Sequence, residues 1–193
     1  MSPITHFLVG WTVLERALPS RRDKALVALA GVAPDLDGLG IVVDFATRTL
    51  GLPETDYYQA YHRIYGHGLA AALVIAAVCA AIATRRQRAW VALWAFVAVH
   101  LHFLCDVLGS RGSGAEDLWG IYYLAPFSLA HEITWSGQWP LVGWQNMAIT
   151  AALLLIVAAR ATRTGYSPLA IFSERADAAF VLTLKNWRAR LRA

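Results

Sequence analysis

The chain alternates long apolar runs with short basic stretches. Gly68–Thr84 is an unbroken series of small and aliphatic residues, stopped by Arg85-Arg86-Gln87-Arg88. Ala89–Gly109 follows at once and Leu141–Ala159 ends at Arg160. A membrane-crossing helix needs about 20 mostly apolar residues, so each run predicts one. Ile4–Leu18 is shorter, and Lys24–Phe45 is interrupted by Pro34 and carries Asp35, Asp37 and Asp44. Broken helices with polar groups are tolerated at membrane depth where they pack inside protein or line a cavity. From Tyr166 onward apolar and basic residues alternate, predicting an amphipathic helix on the membrane surface. The expectation is an all-α polytopic bundle of about five transmembrane or membrane-embedded helices. Residues 1–165 form the embedded domain, and 166–193 form a basic helix on the cytoplasmic face.

Composition supports lipid as the solvent. The 193 residues suit one domain, and only 16% are charged against about a quarter in soluble proteins. The net charge of +4 comes from 15 Arg and 2 Lys against 13 acids. If five segments alternate from an outer N-terminus, fourteen of those cations fall inside and only Arg48, Arg63 and Arg111 fall outside. That is a positive-inside bias, which predicts the N-terminus on the outer side and the C-terminus on the inner, cytoplasmic side. It also accounts for the charge without nucleic acid, for which no reading module is visible. The opening residues lack the basic region of a signal peptide, so the chain is expected to start at its mature end. Cys79 and Cys105 lie in apolar runs and read as free thiols. Leu118–Pro140 carries six Trp, Tyr and Phe rings and is expected along the outer interface.

This topology collects polar residues at one depth. His6 falls near the outer end of the first helix, and Asp35 and Asp37 lie halfway or more across the second. His62 and His67 directly precede the third, while His100, His102 and Asp106 occupy the outer half of the fourth. His102 and Asp106 share a helical face at i, i+4. Pro34-Asp35-Leu36-Asp37 suits a turn around a cation. Imidazole plus carboxylate is a ligand set for zinc, or for manganese or iron where oxygen donors are numerous. A charge at helix centre costs at least about 2.5–3.5 kcal/mol in the membrane, and a divalent ion compensates several acids at once. Other readings stay open. His100 points about 160° away from His102 and suits a helix–helix hydrogen bond. Asp35 or Asp37 can pair with Arg63. Asp44, Asp56, Glu116 and Asp117 read as solvated loop acids, and His131-Glu132 as interfacial. His and Asp chains also build proton relays in transporters.

Four blocks resemble one family. They are Ser2-Pro3-Ile4-Thr5-His6 with Gly10, Ala30-Gly31-Val32-Ala33-Pro34-Asp35-Leu36-Asp37-Gly38, His62-Arg63 followed by His67, and His102-x-x-x-Asp106. In order and combination they look like the YdjM-like inner-membrane proteins, described as metal-dependent hydrolases and as LexA-linked. The resemblance runs to about Arg160. It implies an integral inner-membrane protein whose His and Asp residues bind metal. The family's third block reads His-Arg-Gly-x-Thr-His-Ser; here Gly66 and Gly68 flank His67, so hydroxyl support is missing there.

The functional expectation is metal-assisted hydrolysis at the outer face. One or two divalent ions, zinc first, would be held by His6, Asp35, Asp37, His67, His102 and Asp106, with His62 next in line. Asp37 is the expected general base, and Arg63 and Arg111 are expected to grip an anionic phosphate. An outer-leaflet site ringed by Trp and Tyr suits a lipid or phosphoester substrate. The alternative is a non-enzymatic metal- or proton-handling membrane protein.

Overall fold

The computed structural model describes residues 1–14 and 17–191. Eight α-helices are seen among them: α1 (Pro3–Leu14), α2 (Arg21–Ala30), α3 (Gly40–Thr49), α4 (Tyr57–Tyr61), α5 (Leu69–Ile82), α6 (Arg88–Gly109), α7 (Trp144–Thr164) and α8 (Glu174–Arg190). Among the described residues β-structure is confined to two isolated bridges, Arg111 with Pro140 and Ile121 with Ile133.

Two stretches, Arg85–Gly109 and Trp144–Thr164, are long and apolar enough to cross a membrane. A third forms if α2 and Ala33–Thr49, bent by 49° at their junction, act as one broken span. The structure thus supports two to three spans where about five were expected. Helices α1 and α5 run for 12 and 14 residues, shorter than a straight crossing requires. Part of the expected first segment, residues 15 and 16, lies outside the described residues. Within the expected tail helix, Glu174–Arg190 forms α8, with Ser173 capping its first turn through a hydrogen bond from the Ala176 amide; residues 192 and 193 lie outside the described residues.

Helix α6 is the centre of the bundle. Its buried positions Val91, Ala95, Ala98, His102, Asp106 and Gly109 recur every three or four residues and make a single stripe. Small residues on α5 (Ala72, Ala76, Cys79) meet that stripe and let the two backbones approach. On the other side α2 carries Val27 and Ala30 into the same core. Helix α1 packs on α2 where Gly10 faces Ala28; a Cβ at Gly10 would stand 3.4 Å from the Ala28 Cα. Large apolar side chains elsewhere point outward, among them Val74 and Val78 on α5, Phe45 on α3 and Leu155 on α7, as a lipid environment requires.

The break between α2 and α3 has a local cause. Pro34 has no amide hydrogen to continue the helix. The chain tightens into a 3₁₀ turn, Ala33–Leu39, with the Asp35 amide bonded to the Val32 carbonyl. The Gly31 carbonyl, which an unbroken helix would have paired with Asp35, is thereby released.

Candidate metal centre

The released Gly31 oxygen accepts a hydrogen bond from His102 Nδ1 at 2.9 Å, which turns His102 Nε2 toward the carboxylates. One helical turn later, Asp106 Oδ2 lies 3.1 Å from that Nε2. His6 arrives from α1, stacked on the His102 ring at 3.8 Å between centroids, with its Nε2 3.1 Å from Asp106 Oδ1. Asp35 comes from the 3₁₀ turn, with Oδ1 3.6 Å from His102 Nε2. In His6, Asp35, His102 and Asp106 one ligand atom apiece lies within 4.8 Å of all the others. His6, His102 and Asp106 are 2%, 1% and 3% exposed, deep enough that their charges need a partner.

The donor set fits a divalent cation. Ligand atoms about 2.0–2.1 Å from a tetrahedral zinc ion stand about 3.3 Å apart, close to the separations above. Two buried atoms of the group, His6 Nδ1 and Asp35 Oδ2, lack a hydrogen-bond partner. The α-amino group of Met1 and Ser110 Oγ also bond Asp106 Oδ1.

Asp37 does not share a cation-wrapping turn with Asp35. It faces a second group formed with His62 and His67. Its Oδ1 lies 2.6 Å from His62 Nδ1, and its Oδ2 accepts from His67 Nδ1, the Gly66 amide and the Arg63 amide. This grip leaves His67 Nε2 free to reach back to the first group, 3.1 Å from His102 Nε2 and 3.5 Å from Asp106 Oδ2. Burial alone would lower the His67 pKa. Hydrogen bonds to Asp106 and Asp37 outweigh it and push the value up to about 9. The flanking glycine is sterically required: a Cβ on Gly66 would lie 2.2 Å from the Pro34 carbonyl oxygen. Asp37 thus supports His67 where the hydroxyls of the family's third block are missing.

A cavity of about 470 Å³ opens onto both groups, lined by the polar Asp35, His62, Asp106 and Ser110 and by the apolar Leu39 and Val142. Trp119 also lines it, against the rings of His62 and His67. The Arg63 guanidinium sits 3.9 Å above the Trp119 ring, so Arg63 pairs through its amide with Asp37 and through its side chain with the aromatic. Its backbone is left-handed, φ 99°, uncommon for a residue with a Cβ. Arg111 follows Ser110 but is not among the cavity-lining residues, and its buried Nε has no partner.

Remaining polar residues separate cleanly. His100 bonds the Phe96 carbonyl and Tyr123 Oη, away from the cluster. His131 and Glu132 are exposed, and Asp44 caps the start of α4 through the Tyr57 and Tyr58 amides. Three supporting residues escaped sequence reading: Ser110, Trp119 and the Gly31 carbonyl. Ser110 lies four residues after Asp106, on the same face, a spacing that was available to find it.

Comparison with known proteins adds a family. The sequence pattern of the YdjM inner membrane protein family matches residues 1–184. No curated protein and no solved structure matches the chain.

Proposed function

The chain belongs to the YdjM inner membrane protein family, and from that premise we propose that it is a metal-dependent hydrolase. Its site would face the outer side of the inner membrane and act on a lipid or phosphoester. The observation that carries the reading is the convergence of two imidazoles and two carboxylates from three separate segments beside an open, mostly apolar cavity.

His6, Asp35, His102 and Asp106 would hold a divalent ion, zinc first, with His67 Nε2 as a further donor; a second ion at Asp37, His62 and His67 is the variant of this reading. When bound, such an ion polarises the scissile group and acidifies water. Asp37 spends both oxygens on the imidazoles and amides around it. Its part in proton transfer therefore runs through His62, which lines the cavity with Nδ1 tied to the carboxylate. Neither Arg63 nor Arg111 lines the cavity; Arg63, stacked on the lining Trp119, is the nearer candidate for a charged contact with an anionic group. Leu39 and Val142 supply the apolar wall that a lipid substrate needs.

A proton or ion conduit is less well supported. Below the cluster part of the core is apolar, built from Val27, Ala30, Ala76, Val91, Ala95 and Ala98. Elemental analysis of purified protein, then a panel of phosphoester and lipid substrates with wild type and Asp106→Ala, tests the proposal. Stoichiometric metal and turnover that vanishes in the variant are expected. Activity unchanged in Asp106→Ala rejects the mechanism, and metal without turnover on any substrate returns the protein to the binding class.

A further inference from the structure

The opposite end of the bundle carries a second cavity, of about 400 Å³, lined by Trp11, Arg21, Arg22, Tyr166, Ile171 and Glu174. Helix α2 joins the two ends: Arg21 opens it here, and Gly31 follows its last turn at the His/Asp cluster. This end also gathers the turn between α5 and α6 and the exit from α7. The Arg22 guanidinium bonds the Ile82 carbonyl at the end of α5 at 2.7 Å, and Asp23 receives the Thr84 amide. A layer where apolar helices turn around coincides with the headgroup level of a bilayer.

We propose that this cavity binds the phosphate headgroup of an anionic phospholipid. Its cations are already placed. The Arg21 guanidinium lies 4.9 Å from the centre of the Tyr166 ring, and Lys24 Nζ both approaches that ring at 5.2 Å and donates to Tyr166 Oη at 2.7 Å. Trp11, 3% exposed, closes the floor. Two lining cations, Arg21 and Arg22, with Lys24 beside them on Tyr166, thus stand against one lining acid, the exposed Glu174; Asp23 is buried and takes the Thr84 amide and hydroxyl on Oδ1. A topology signal needs only the number of basic residues. A partly open pocket whose basic side chains are held by an aromatic ring and a carbonyl is more than that, and holding them beforehand lowers the cost of binding. Basic pockets between membrane helices take anionic lipid headgroups in this way. The aromatic and aliphatic walls favour a phosphodiester that carries acyl chains over free phosphate.

Native mass spectrometry of the full chain released from phosphatidylglycerol or phosphatidylcholine vesicles tests this. Retention of phosphatidylglycerol over phosphatidylcholine is expected. Arg21→Gln with Arg22→Gln should reduce it roughly twenty-five-fold, at about fivefold per cation. An unchanged helical signal in circular dichroism reports that the double variant is folded. Equal retention of the two lipids, or undiminished retention in the double variant, overturns the proposal. Displacement by excess inorganic phosphate would make free phosphate the ligand and overturn the lipid assignment. If the double variant does not accumulate, Glu174→Gln decides alone: removing that exposed charge should raise retention, and unchanged retention counts against the site.

Discussion

His67 Nε2 and His102 Nε2 face each other at 3.1 Å. Each ring has its other nitrogen donating elsewhere, His67 to Asp37 and His102 to the Gly31 carbonyl. In their neutral forms both rings therefore turn lone pairs toward the same point. Two lone pairs at that distance repel unless a proton or a metal ion lies between them. With Asp106 beside both nitrogens, the arrangement is built around positive charge.

Asp106→Asn follows directly. The amide keeps the shape and removes the charge that His6, His67 and His102 all address. Metal content measured by elemental analysis should fall from stoichiometric to near zero, while the helical signal in circular dichroism persists.

Asp37→Asn should behave differently. Asp37 orients imidazoles and lies outside the first group of donors. Loss of such an orienting carboxylate typically weakens metal affinity by about 10–100-fold without abolishing it. Titration with a competing chelator distinguishes this graded loss from the near-complete loss in Asp106→Asn.

Gly66→Thr restores the residue type of the family's third block and should nevertheless destabilise this protein. Its Cβ would collide with the Pro34 carbonyl and crowd Asp37 Oδ2, 2.8 Å away. Overpacking of this kind costs about 1–3 kcal/mol. Thermal unfolding in detergent should show a lower midpoint for Gly66→Thr. Gly114→Ala should leave it unchanged, because the nearest atom to a Cβ there is 3.7 Å away.

Much of the site was legible in the sequence because depth in a membrane is nearly one-dimensional. Once the apolar runs and basic stops were aligned, His6, Asp35, His67, His102 and Asp106 fell at one level, and the structure brings their side chains together. Rotation about the axis was legible only where spacing fixes it, as for His102 against Asp106 or His100. The divergence of Asp35 from Asp37 was not, since it depends on the 3₁₀ geometry that Pro34 imposes. Nor was the number of spans, because α1 and α5 are apolar yet short. Leu118–Pro140 was read chiefly from its aromatic composition, whereas its structural role lies in individual hydrogen bonds.

Those bonds define the last prediction. A helix leaves its final four carbonyls without internal partners, and in α6 every one of them is met. The Asp106 and Val107 carbonyls accept from Gln138 Nε2, the Leu108 carbonyl from the Trp139 amide, and the Gly109 carbonyl from Asn146 Nδ2. Asn146 also accepts from Trp139 Nε1 at 2.6 Å. Asn146→Leu would strand both the Gly109 carbonyl and the indole, at about 1–3 kcal/mol for each buried group left unpaired. Because Asp106 occupies the turn that this network holds, the loss should not stay local. Hydrogen exchange at residues 106–111 should accelerate, and metal affinity should fall although Asn146 is no ligand. Unchanged exchange there would show that the loop merely rests on α6, and the positioning of Asp106 would have to come from His102 and Ser110 alone.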